Sequence, residues 1–91
     1  MGVLFVRKRE VYTREITTCY LRSLKHTPHI ADRLKSALPV IVNVAEMPEE
    51  ERTQALDFIS GVAYAIDGSY DQVGDNTFLF VPGSVILLDD D

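Results

Sequence analysis

His26 and His29 stand three residues apart, a spacing that can place two imidazoles on one helical face to hold a metal ion. The nearest carboxylate, Asp32, falls on the next turn, so the pair reads instead as polar residues at a helix start. Asp67, Asp71 and Asp75 recur at four-residue steps, yet Gly68 and Gly74 break any helix that would align them, and the spacing is not that of a calcium-binding loop. They read as turn and cap carboxylates. Ser60-Gly61 lies inside a helical pattern and not at the strand-to-helix elbow that exposes a nucleophilic serine, and neither histidine has an orienting partner near it in sequence. Gly68, Gly74 and Gly83 are too scattered to cradle a phosphate. Tyr70, Phe78 and Phe80 have no basic residues between them, which removes the usual argument for a sheet that stacks RNA bases. The expectation is a binding module with no catalytic residue, no metal and no cofactor.

Charge and size point the same way. Nine Lys+Arg against 14 Asp+Glu leave a formal charge of −5, which repels polyphosphate backbones and argues against a nucleic-acid partner. Most basic residues precede residue 36, while Glu46, Glu49 to Glu51, Asp57, Asp67, Asp71, Asp75 and Asp89 to Asp91 make the second half acidic. A chain of 91 residues forms one domain, and at this size burial on folding reaches only about 60–65% of the unfolded surface, so a partner would add to stability. A lone cysteine, Cys19, excludes an internal disulfide and suits a reducing cytoplasm. No apolar run reaches the roughly 18–20 residues of a membrane-spanning helix, and Met1 to Val6 is too short for the apolar core of a signal peptide.

The elements that would position these residues follow from periodicity and punctuation. Residues 1–15 read as an N-terminal arm or linker remnant, with an apolar Val3 to Val6 patch and a basic Arg7-Lys8-Arg9, and residues 16–91 as the core domain. Ile16 to Leu24 is rich in β-branched residues and predicts a strand. Thr27-Pro28 predicts an N-cap followed by proline at the first helical position, and Ile30, Ala31, Leu34, Ala37 and Leu38 continue a helix from Pro28 to about Ala37. Pro39 ends it, and the apolar run to Val44 predicts a strand at the centre of a sheet, parallel to the first by a right-handed crossover. A second helix starts at Pro48 and Glu49 to Glu51, carboxylates that suit the positive end of the helix dipole, and buries Ala55, Leu56, Ile59, Val62, Ala63 and Ile66. Gly61 in its interior costs roughly 1 kcal/mol against alanine, which suggests close backbone approach. With Ser60, Tyr64 and Ala65 it would make a flat face for a second copy of the chain, or pack within the monomer. Asp67-Gly68 turns the chain into a hairpin of Ser69 to Val73 and Thr77 to Val81 around Gly74-Asp75-Asn76, and Pro82-Gly83 leads to a last strand, Ser84 to Leu88.

Three fragments in this order, Pro39-Val-Ile-Val-Asn-Val44, Asp57-Phe-Ile-Ser-Gly61 with Tyr64-Ala-Ile-Asp-Gly68, and Val73-Gly-Asp-Asn-Thr-Phe78, resemble the core domain of SepF, a cell-division protein that links FtsZ filaments to the membrane. The resemblance runs from about Thr17 to Leu88. It implies an α/β fold, a compact two-layer sandwich of about five strands and two helices that forms homodimers and binds the C-terminal tail of FtsZ. It further implies a cytoplasmic protein acting at the division site, with membrane attachment through an N-terminal amphipathic helix that Met1 to Arg14 does not display. The tail of FtsZ docks beside the late hairpin in such proteins. Phe78 matches the aromatic position of that pocket, Gln72 stands where some relatives have lysine, and Tyr70 and Phe80 are neighbours by strand alternation. For each aromatic, an ordinary core role is the competing reading. At the level of function, the alternatives are a small-ligand-binding or regulatory α/β domain and, further off, a hydrolase using the aspartate cluster.

Overall fold

The computed structural model describes residues 11–13 and 16–87. The apolar Val3 to Val6 patch, the basic Arg7-Lys8-Arg9 and the terminal aspartates lie outside the described residues. The described residues form six strands and two helices in the order β1 (Val11–Thr13), β2 (Thr17–Tyr20), α1 (Thr27–Lys35), β3 (Val40–Asn43), α2 (Glu49–Ala65), β4 (Ser69–Gly74), β5 (Thr77–Val81) and β6 (Val85–Leu87). A four-stranded sheet has the order β2-β3-β5-β4. Strands β2 and β3 are parallel across α1, as the crossover reading requires, and β5 runs antiparallel to both β3 and β4.

The two layers form because one face of the sheet is apolar. Val40 and Val42 of β3 and Val44 just beyond it alternate with exposures of 0%, 0% and 1%, and they meet Ile30 and Leu34 of α1, Ala55, Ile59 and Ala63 of α2, and Phe80 of β5 in one core. Ile41 and Asn43, between them, point to the other face and are half-buried, so helices cover the central strand on one side only.

Several boundaries differ from the expected ones, each for a local reason. The first strand of the sheet ends at Tyr20, and Ser23 caps a 3-10 turn over Leu24–His26, its hydroxyl accepting from the Lys25 N–H. That turn runs straight into α1, which removes the N-cap role from Thr27: its buried hydroxyl donates backwards to the Leu24 carbonyl at 2.7 Å. Helix α1 ends at Lys35 because Ala37 adopts a left-handed φ of 63°. Leu38 N–H reaches the Arg33 carbonyl and Ala37 N–H the Leu34 carbonyl, the paired bonds of a Schellman cap that glycine ordinarily occupies.

The end of α2 divides its two turn residues by task. Asp67, at φ 57°, takes the left-handed position, and Gly68 N–H bonds the Ala63 carbonyl at 2.7 Å. Gly68 is needed for space and not for its φ: a Cβ there would lie 2.5 Å from the Val81 carbonyl oxygen and 3.0 Å from that of Ala63. Gly83 is crowded in the same way by the carbonyls of Ile66 and Asp67. The helix end and the β5–β6 turn are thus pressed backbone to backbone. The last strand does not join the four-stranded sheet. It pairs with β1 in a separate parallel ribbon, Val11 opposite Val85 and Thr13 opposite Leu87.

Two substitutions of opposite sign test this account. Gly68→Ala should destabilise by about 1–3 kcal/mol through overpacking, whereas Ala37→Gly should stabilise by about 0.5–1 kcal/mol by relieving a left-handed alanine. Urea unfolding midpoints measure both.

Candidate functional site

The late hairpin carries the four residues singled out for partner binding, and its register puts them on one face. Tyr70 lies opposite Phe80 and Gln72 opposite Phe78, while Val40 and Val42 face Phe80 and Phe78 from the other side of β5. All four therefore belong to the face that bears the helices. Their burial differs sharply along it. Phe80 is wholly enclosed, Phe78 is half-buried against the core, and Tyr70, on the edge strand, is 57% exposed.

Geometry explains that gradient. Helix α2 packs against β4 and β5, yet every residue of β4 remains exposed, so the outermost strand extends past the cover of the helix layer. Tyr70 stacks on the enclosed Phe80 with ring centroids 5.5 Å apart and planes 25° from parallel. The result is an aromatic shelf on which Tyr70 and Phe78 are accessible and Phe80 is the floor beneath them. Phe80 is thus a core residue, and the core reading applies to it in full.

Gln72 is exposed on the same face and bonds within its own hairpin. Its Nε2 donates to the carbonyls of Gly74 and Asp75, at 3.0 and 3.2 Å, and so braces the turn of its own hairpin. The same turn is held from α2 by Arg52, which bonds the Asn76 side chain. Arg52 escaped the sequence reading, although it carries a signal: it is the one Lys or Arg after Lys35, set in an acidic second half.

The second candidate surface lies on the outer side of α2. Gly61, Tyr64 and Ala65 are exposed, Tyr64 to 86%, and Ser60 is half-buried. A Cβ on Gly61 would meet nothing within 4 Å, so packing within the monomer does not account for this glycine. Elsewhere, His26 and His29 stack at 6.0 Å between ring centroids and are both exposed, and among the described residues no group of three His, Cys, Asp or Glu could hold a metal ion. Cys19 is a free, half-buried thiol packed against the core. No helix among the described residues is long and apolar enough to cross a membrane.

A sequence model of the family described as cell division protein SepF matches residues 16–87. The chain belongs to the SepF family. It is 36% identical over 73 residues to a cell division protein SepF of Gloeobacter violaceus, which takes in 80% of this chain and 38% of that protein. It is 35% identical over 83 residues to a SepF of Heliobacterium modesticaldum, covering 91% of this chain and 51% of the other. The chain thus spans about half or less of the length of these curated relatives. The fold is shared with solved SepF-like proteins of two archaea, from Archaeoglobus fulgidus (TM-score 0.64, 19% identity, 87% of this chain and 93% of that one) and Pyrococcus furiosus (TM-score 0.62, 22% identity, 92% and 100%). Membership places the chain in a family of cell division proteins.

The division between floor and shelf has a measurable consequence. Phe80→Ala should lose about 3–5 kcal/mol of stability, whereas Tyr70→Ala, at a half-exposed edge position, should lose less than about 1 kcal/mol. Thermal or urea unfolding of the two variants decides between core and surface roles.

Proposed function

We propose that this SepF domain is a non-enzymatic adaptor that binds the C-terminal tail of FtsZ on the Tyr70–Phe78 shelf. As part of a chain with an N-terminal membrane-binding segment, it would tether FtsZ filaments to the membrane at the division site. The observation that carries the reading is the exposed aromatic shelf at the margin of the helix layer, in a family defined by cell division. Peptide recognition concentrates its energy in aromatic anchors that are partly sunk into a rigid surface, and Phe78 combines an anchored side with an accessible one. The net charge of −5 fits a partner segment that is not itself polyanionic.

Two copies joined through the Ser60, Gly61, Tyr64 and Ala65 face would present two shelves to one filament. Two weak contacts then reinforce each other, because the second forms at the effective concentration set by the first. The supporting observations are the uncovered Gly61 and Tyr64 on one side of α2.

The decisive measurement is a calorimetric titration of the domain with a synthetic FtsZ C-terminal peptide. Phe78→Ala should weaken binding by about 2 kcal/mol, roughly thirtyfold, while retaining the native circular dichroism spectrum. Native affinity in a folded variant would move the site off the shelf. Separately, Gly61→Lys should give a folded monomer by light scattering, since two lysines would face each other across a two-fold axis. A dimer of unchanged mass would exclude the α2 face.

A further inference from the structure

Arg52 occupies the first turn of α2, and its guanidinium is spent on three acceptors from two separate segments. Nε donates to the Met47 carbonyl at 3.2 Å and Nη2 to the Ala45 carbonyl at 3.0 Å, both in the loop between β3 and α2. Nη1 donates to the Asn76 Oδ1 at 3.4 Å, 24 residues away at the tip of the β4–β5 hairpin. The planar fork of a guanidinium allows one side chain to fix both segments at a set angle, which the single ammonium of lysine does not.

Around this clamp every residue of the hairpin tip is held. The Asn76 carbonyl accepts from Val44 N–H at 2.9 Å. Asn43, whose Oδ1 accepts from Ala45 N–H at 2.9 Å, reaches the Thr77 hydroxyl at 3.5 Å through its Nδ2. Gln72 holds the carbonyls of Gly74 and Asp75 from within the hairpin. The tip has reason to need this: Gly74 and Asp75 are exposed, and the strand register shifts between Gln72 and Gly74. Phe78 follows directly on the clamped segment, opposite Gln72.

We infer that Arg52 is a positioning residue for the shelf, ordering the hairpin tip so that Phe78 and Tyr70 are held in place before a peptide arrives. The inference rests on the reading that the shelf is a peptide site. A hairpin ordered in advance spares the bound state the entropy of ordering it, so loss of the clamp lowers affinity without removing any contact to the peptide. This distinguishes Arg52 from Phe78, which would touch the peptide itself.

The test compares wild type, Arg52→Ala, Arg52→Lys and Asn76→Ala by two readouts. One is amide hydrogen exchange of residues 74–77 in the peptide-free domain, with the β3 amides as internal reference. The other is affinity for the synthetic FtsZ C-terminal peptide. Arg52→Ala should lose about tenfold in hairpin protection and about tenfold in affinity, with β3 protection unchanged. Arg52→Lys should recover only part of either, and Asn76→Ala should reproduce the defect in smaller measure and add nothing in the Arg52→Ala background. Unchanged exchange at 74–77, or a loss spread evenly over hairpin and β3, would overturn the inference. So would native affinity in Arg52→Ala. If Arg52→Ala does not fold, Asn76→Ala decides by the same two readouts. If the wild-type domain fails to bind the peptide while the exchange contrast holds, the function reading falls and the clamp stands.

Discussion

Val40 and Val42 of β3, with Val44 just beyond it, project into the helix layer, and each has lost essentially all contact with water. The four-stranded sheet and both helices are arranged around that row. Strand β2 pairs with β3 in parallel, β5 pairs with it in antiparallel, and the buried stripes of α1 and α2 close over it. Fully burying a valine is worth about 1.5–3 kcal/mol, a large amount beside the roughly 5–15 kcal/mol of net stability that a folded domain retains. Their alternation also dictates the faces of every neighbouring strand, because a one-residue slip would turn the row outward.

The helix layer is narrower than the sheet it covers, and the proposed binding shelf lies in the shortfall. Edge strand β4 stays exposed along its whole length, leaving Tyr70 outside the core while its stacking partner Phe80 is inside it. Completing the cover would improve burial but remove the shelf. The far face of the sheet is likewise open, with Tyr20 at 62% exposure and Ile41 and Leu79 half-buried. A small domain with apolar side chains left on several surfaces is suited to work in contact with other proteins, in keeping with a cell-division family.

Rigidity in this domain is supplied at element ends more than at element centres. Gly68 and Gly83 let the end of α2 and the β5–β6 turn approach to backbone contact, and Arg52 and Gln72 fasten the hairpin tip from two sides. Both devices flank the same hairpin. Its base and its tip are therefore constrained independently, and the strands between them carry the exposed aromatics.

Periodicity and punctuation together determined the two helices, the parallel crossover and the hairpin around Gly74 to Asn76, because apolar spacing follows the helix and strand repeats and the caps and turns need particular residues. The three fragments Pro39 to Val44, Asp57 to Gly68 and Val73 to Phe78 together revealed the SepF resemblance. The sequence could not separate Tyr70 from Phe80, two aromatics at equivalent alternating positions, since which one is enclosed depends on where the edge of α2 falls over the sheet. Nor could it place the last strand beside β1, a pairing between opposite ends of the chain with no local signal. The left-handed Ala37 in place of the helix expected there, and the reach of Arg52 to Asn76, were equally invisible. In each case local spacing states what an element is, whereas the identity of its neighbours is decided only when distant segments pack and their hydrogen-bonding groups find partners.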